Sequence, residues 1–205
     1  SFALNALTFL SMIVALWGMD PRGLHTAPVA PREPGAIRAG LRYVLRTPEL
    51  EVPLALMALV GTLGFNFQVV LPLLAKFSFD GGAGTYAVMV SAMAVGSIAG
   101  ALVNGAHGQT GPRLIAGGAL AFGVLGPITA SMPTLALEIP MLALLGAAAV
   151  TFAATINSTL QLAVAPKMRG RVMALYSVVF LGSTPIGGPL TGWLAETYDP
   201  RAALL

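Results

Sequence analysis

Residues 172–195 form an unbroken run of 24 residues without a charge, and six of them are Gly or Pro: Gly182, Gly187, Gly188, Gly192, Pro185 and Pro189. In water such a run does not hold a helix, since Gly costs about 1 kcal/mol and Pro about 3 kcal/mol relative to Ala in a helix interior. In a bilayer the same composition is coherent. An uncharged stretch of roughly 20 residues crosses the hydrocarbon core, where every backbone group must find a partner. Small residues there let helices approach closely, and a Pro supported by neighbouring helices bends a span without ending it. The basic turn Lys167-Met168-Arg169-Gly170-Arg171 precedes the run and Glu196 follows it.

Residues 2–19, 52–75, 85–104, 114–131 and 140–162 are apolar runs of the same kind. Over the whole chain 56% of residues are hydrophobic and 9% charged, with a mean hydropathy of +0.82, whereas about a quarter of the residues of a soluble domain are charged. The fold class expected is an all-α polytopic membrane protein with six spans. The pI of about 9.7 does not argue for nucleic acid, because a net charge of +3 on so few ionised groups leaves no concentrated basic footprint. The chain has no cysteine, which excludes thiol and disulfide chemistry.

Six spans sort the loops into two sets. Residues 20–51, 105–113 and 163–171 hold Arg22, Arg32, Arg38, Arg42, Arg46, Arg113, Lys167, Arg169 and Arg171, against Lys76 and Arg201 on the other side. The positive-inside rule assigns the first set to the cytoplasm of a cell (plasma) membrane. Within the first loop, residues 35–46 read as an amphipathic helix. Arg38, Arg42 and Arg46 recur every fourth residue while Ile37, Leu41, Val44 and Leu45 gather on another side. Such a helix suits the membrane surface, where each Arg gains about 1 kcal/mol near anionic lipid; a solvated linker helix is the alternative. The Pro-rich residues before it are expected to be irregular. All eight acids, Glu138 among them, fall in or beside loops, so no ionisable group is expected deep in a span. His25 and His107 read as solvated loop residues.

Uncharged polar side chains remain as candidates. Asn66 and Gln68 in one run, with Thr155, Asn157 and Gln161 in another, are expected to face a central cavity, because an amide turned to lipid costs several kcal/mol. Hydrogen bonding between helices, worth about 1 kcal/mol, is the competing role. Asn157 and Gln161 stand four apart and share a helix face. Phe65, Phe67, Tyr176 and Phe180 are expected to pack or to meet lipid rather than to line a binding surface, and Gly96 and Gly100 form a G-x-x-x-G packing face. No His, Cys or acid converges at one depth, so neither an enzyme active site, a metal site nor a cofactor is expected.

The segment from residue 157 onward resembles a known family. Asn157-x-x-x-Gln161, Pro166, Arg169-Gly170-Arg171-Val172, Ala174-Leu175-Tyr176-Ser177 and the core Gly182-x-x-Pro185-x-Gly187-Gly188-Pro189 follow one another. This is similar to the tenth and eleventh transmembrane helices of the major facilitator superfamily, in the branch that contains macrolide-efflux proteins and the enterobactin exporter. The resemblance implies a helical bundle of that type, represented by helices six to eleven of twelve and the start of the twelfth. Residues 1–19 would be the last helix of the N-terminal half, 20–50 a cytoplasmic linker, and 51–205 the C-terminal half. The family's loop after the eighth helix resembles G-x-x-x-D-R-x-G-R-R; here Gln109 stands in place of the acid and Thr110 in place of the Arg, which removes two partners of the charge pairing such loops use.

The glycine and proline cluster is similar to one that drug antiporters carry in their fifth helix, and it falls at the position related by the internal repeat. The resemblance therefore implies a secondary transporter without a metal or cofactor. It would export amphipathic small molecules (drugs, macrolides or siderophores) in exchange for protons by rocking its halves around a midplane site. The coupling acid would lie in the N-terminal half, and the partners would be the substrate, the proton and membrane lipid. Uptake by the same fold, or service as a membrane subunit of a larger complex, are the alternatives.

Overall fold

The computed structural model describes residues 2–19, 35–108 and 110–204. The expectations for the Pro-rich residues 20–34, for His25 and for Gln109 lie outside them. The chain divides into two compact units, Ser1–Pro34 and Gly35–Leu205. In the first, helix α1 (Phe2–Trp17) has 16 residues, about 24 Å at 1.5 Å per residue, short of the roughly 30 Å of a hydrocarbon core. Its polar side chains turn back on their own helix: Thr8 Oγ1 donates to Asn5 O and Ser11 Oγ to Thr8 O. Six spans were expected; among the described residues five helical segments are long and apolar enough to cross a membrane.

The second unit is all helix and turn among its described residues. Helix α2 (Ala36–Leu45) leads into α3 (Pro48–Gly64), then α4 (Phe67–Leu73) with a π turn over Leu74–Ser78. There follow α5 (Ala83–His107), α6 (Pro112–Ala130), α7 (Leu135–Ala163), α8 (Arg169–Gly182), α9 (Thr184–Thr197) and a 3-10 turn over Pro200–Leu204. The five spans are Pro48–Ser78, Ala83–Ala106, Pro112–Ala130, Leu135–Ala163 and Arg169–Thr197, joined by short turns. Pro48 and Pro112 occupy first turns, where a helix needs no N–H. Gly108 closes α5 in the left-handed region at φ 57° and gives its N–H to Asn104 O.

Helix α2 presents three sides. Gly40 and Val44 are buried, and a Cβ on Gly40 would stand 3.3 Å from Arg171 Cβ and 3.4 Å from Leu175 Cδ1 of α8. Ile37, Leu41 and Leu45 are exposed, as are Arg38, Arg42 and Arg46. Val44 thus belongs to the packed side, whereas periodicity groups it with the free apolar residues.

Two apolar cores run along the bundle. One gathers Val44, Leu54, Met57, Ile115, Phe152, Ile156, Leu160, Val172 and Tyr176; the other gathers Val70, Leu71, Leu74, Met89, Phe122, Leu142, Leu145 and Ala149. Phe65 and Val60 pack against both. Outside these cores Leu59, Val95, Ile98, Leu102, Leu120 and Val124 are exposed, as on a bundle solvated by lipid.

The closest seam joins α5 to α7. A Cβ on Gly96 would collide with the Ala143 backbone, one on Gly100 with Ala147, and one on Gly146 with Met93 O. Ser97 Oγ donates to Gly146 O at 3.3 Å and Thr151 Oγ1 to Gly100 O at 3.4 Å. The G-x-x-x-G face is therefore consumed inside the bundle. Replacing Gly96 by Leu is expected to lower stability by about 1–3 kcal/mol, read as an earlier thermal transition in detergent. An unchanged transition would show that the seam yields.

Candidate functional site

Span Pro48–Ser78 is broken near its middle. Phe65 (φ −89°, ψ 33°) and Asn66 (φ −100°, ψ 30°) leave helical geometry between α3 and α4. Gly61 and Gly64 hold a helix weakly there, and Asn66 Nδ2 donates to Thr62 O at 2.7 Å, taking the acceptor that the Asn66 backbone N–H would have used. Asn66 O then receives the N–H groups of Val69 and Val70 and restarts the helix. The side chain is 2% exposed, and its Oδ1 meets no donor.

The α8–α9 span is broken too. Pro185 has no N–H for Leu181 O, which opens the ladder around Ser183; Ser183 Oγ donates to Phe180 O at 2.8 Å, and Ser183 O accepts from Gly187 N at 2.7 Å. The two breaks cross. A Cβ on Gly187 would collide with Thr62 O and the Asn66 amide, and a Cβ on Gly61 would lie 3.0 Å from Ser183 Oγ. The break at Asn66 thus touches a span interrupted at the single residue Ser183, which keeps helical dihedrals at φ −69° and ψ −38°.

Aromatic rings fill the angle between them. Phe65 meets Phe122 at 5.3 Å, Phe180 at 6.2 Å and Phe152 at 6.5 Å edge-on, and Phe67 at 6.4 Å with the rings tilted by 33°. Tyr176 stacks on Phe180 at 5.9 Å. Its hydroxyl donates toward Ala153 O at 3.5 Å and lies in hydrogen-bond reach of Asn157. Asn157 Oδ1 in turn accepts from Gln161 Nε2. The result is a strip that passes from rings, Phe65, Phe180 and Tyr176, into paired amides, Asn157 and Gln161. Phe180 and Gln161 are exposed and Asn157 is half-buried, so a ligand can reach both ends.

The remaining sequence candidates disperse. Thr155 is 1% exposed on the α5 seam, donating to Thr151 O at 2.7 Å and lying 3.3 Å from Asn104 Oδ1. Gln68 is exposed on α4. Arg169 and Gly170 are exposed at the start of α8, while Arg171 lies against Gly40 of α2. In the glycine and proline cluster, Gly187 alone makes a backbone approach that no side chain would allow. Gly182 faces open space, Gly188 has Val69 at 3.8 Å, and Pro185 and Pro189 are exposed. A separate apolar cavity of about 310 Å³ lies beside the break, walled by Leu63, Phe67, Phe122, Pro127, Leu190 and Leu194.

Sequence reading missed Glu138. Helix α7 begins at Leu135, five residues before the apolar run, and carries Glu138 into its first turn with 2% exposure and an Oε1 that no donor reaches. The signal was a lone acid between Leu137 and Ile139, at the helix end where an acid is favoured. Among the described residues no three His, Cys, Asp or Glu side chains converge as a metal site would require.

A family described as transmembrane secretion effector matches residues 1–205. No curated protein and no solved structure matches the chain.

Proposed function

Since the chain belongs to the transmembrane secretion effector family, of the major facilitator type, and is a multi-pass membrane transport protein, we propose that it exports amphipathic small molecules such as drugs, macrolides or siderophores in exchange for protons. The observation that carries this reading is the strip at the crossing of the two breaks. Rings at one end and paired amides at the other offer apolar contact and hydrogen bonds to the same ligand. Broken spans near the bilayer midplane are where transporters place substrates, and two such spans in contact are suited to bend as the halves rock. On this reading residues 1–19 close the N-terminal half, 20–50 link the halves, and 51–205 form the C-terminal half. Loops 20–51, 105–113 and 163–171 face the cytoplasm, and the acid that drives coupling lies in the N-terminal half. The family description, secretion, favours export over uptake.

The test uses the full-length protein in cells stripped of their own efflux pumps, loaded with a fluorescent cationic dye or a macrolide. Accumulation is expected to fall, a protonophore to restore it, and Asn157→Ala or Gln161→Ala to change the response to some compounds more than others. Unchanged accumulation of every compound, with the protein confirmed in the membrane, overturns the multidrug reading. Reduced accumulation that ignores the protonophore overturns proton coupling.

A further inference from the structure

Helix α2 leaves most of its surface outside both cores, and that surface is ordered. At about 100° per residue, Tyr43, Gly40 and Val44 fall on one arc. Ile37, Leu41 and Leu45 fall on the next, and Arg38, Arg42 and Arg46 on a third, on the far side from the first. The first arc faces protein: Gly40 and Val44 are buried, and Tyr43 is half-buried against the first core. The other six residues are exposed, Ile37 at 77%. Among the described residues no hydrogen bond, ion pair or ring contact engages the guanidinium of Arg38, Arg42 or Arg46.

Contact with α8 fixes the level at which α2 lies. A Cβ on Gly40 would meet Arg171 and Leu175, the third and seventh residues of the span Arg169–Thr197. These stand about 3–9 Å from the end of that span at 1.5 Å per residue. Val44 shares a core with Val172, where the uncharged run begins. Thr47, extended at φ −124° and ψ 95°, turns the chain from α2 into α3. Helix α2 is thus held beside the boundary between headgroups and hydrocarbon, where interfacial helices bury their apolar side about 5–10 Å deep. The other charged groups of these loops do not cancel its arginines. Arg113, Lys167 and Arg169 are exposed and add to the positive field, while Glu49 and Glu51 sit in the first turn of α3, the helix end that favours acids.

We propose that α2 is a docking surface for anionic phospholipid, with Ile37, Leu41 and Leu45 among acyl chains and Arg38, Arg42 and Arg46 on the phosphate headgroups. A solvated linker helix would leave the aliphatic arc in water. An acidic protein segment would match the three cations but not the aliphatic arc beside them, whereas a lipid with a charged head and apolar chains matches both. Docking of this kind involves no substrate and no proton, so it holds or fails apart from the export reading.

The test places a fluorophore on Leu41→Cys in the full-length protein, with any other cysteine replaced by Ser, in phosphatidylcholine nanodiscs. Small, equal amounts of phosphatidylglycerol or phosphatidylcholine bearing an acyl-chain nitroxide are added, and quenching reports how much of each gathers at α2. Both are expected to quench, because position 41 reaches acyl chains, and phosphatidylglycerol to quench more strongly. Arg38→Gln, Arg42→Gln and Arg46→Gln are each expected to lower that preference by up to about fivefold, the gain of one basic residue near anionic lipid, and the triple variant to abolish it. Arg→Lys at all three positions is expected to keep it, since a lipid surface asks for charge rather than for a forked donor, and Lys76→Gln to leave it unchanged. All three arginines are exposed, so these variants keep the packed arc; Ile37→Cys repeats the measurement should the label at 41 disturb the helix. Absence of quenching by both lipids at both positions would mean that water or protein covers the apolar arc, and overturns the proposal. Equal quenching by the two lipids in the parent, or an unchanged preference in the triple variant, overturns it as well.

Discussion

Replacing Gly187 by Ala is expected to abolish transport by the full-length protein, whereas replacing Gly182 by Ala, five residues earlier in the same cluster, is expected to leave it intact. Both positions are glycine in the same broken span, but their surroundings differ. At Gly182 an added Cβ meets nothing within 4 Å, and removing a helical Gly is worth roughly 0.5–1 kcal/mol in favour of the helix. At Gly187 the Cβ would fall on Thr62 O and the Asn66 amide, both fixed by the hydrogen bond that forms the α3–α4 break. Neither backbone nor a 2% exposed amide can swing aside, so α9 must retreat from α3. Overpacking of this kind costs about 1–3 kcal/mol, and a shift of the order of 1 Å at a positioned site can cost about 100-fold in rate. Dye efflux in pump-stripped cells, paired with thermal melting in detergent, reads both effects. Equal loss at the two positions would show that the cluster acts through flexibility rather than close approach.

That contrast marks what the sequence could convey. Uncharged length located the long spans, because lipid imposes the same demand on every residue of a run, and five of them coincide with the expected runs within a few residues. The family resemblance drew on the Gly182 to Pro189 spacing. Spacing could not reveal that Gly187 touches the break at Asn66, 121 positions away in the chain, since that contact depends on how two helices cross. Thr155 and Asn157 sit two apart, about 200° around a helix, which is why one faces the α5 seam and the other the strip. Glu138 was misread for a different reason: hydropathy ends a span at the last apolar residue, but hydrogen bonding carried α7 back to Leu135 and took the acid inside with it.

Phe65 is expected to be the costliest ring to remove. Its neighbours come from four directions: Phe67 on α4, Phe122 on α6, Phe152 on α7 and Phe180 on α8. It also packs against both apolar cores, so its loss opens space at their junction. Lipid is as apolar as the core, so the penalty comes from lost packing rather than from exposure to water. For Phe65→Ala about 3 kcal/mol is expected, the lower end of the range for a Phe in a packed core, because the ring is half-buried. Phe65→Leu keeps most of the volume but forfeits edge-to-face contacts worth about 0.5–1.5 kcal/mol each, and is expected to fall between parent and Ala. Phe180→Ala, at 37% exposure and with Tyr176 stacked beside it, is expected to cost less stability and to change which compounds are exported, because that ring forms the open edge of the strip. Denaturation in detergent orders the three variants, and the accumulation assay separates the last. A Phe180→Ala loss as large as that of Phe65→Ala, with every compound affected alike, would assign the whole cluster to packing and take the rings out of substrate binding.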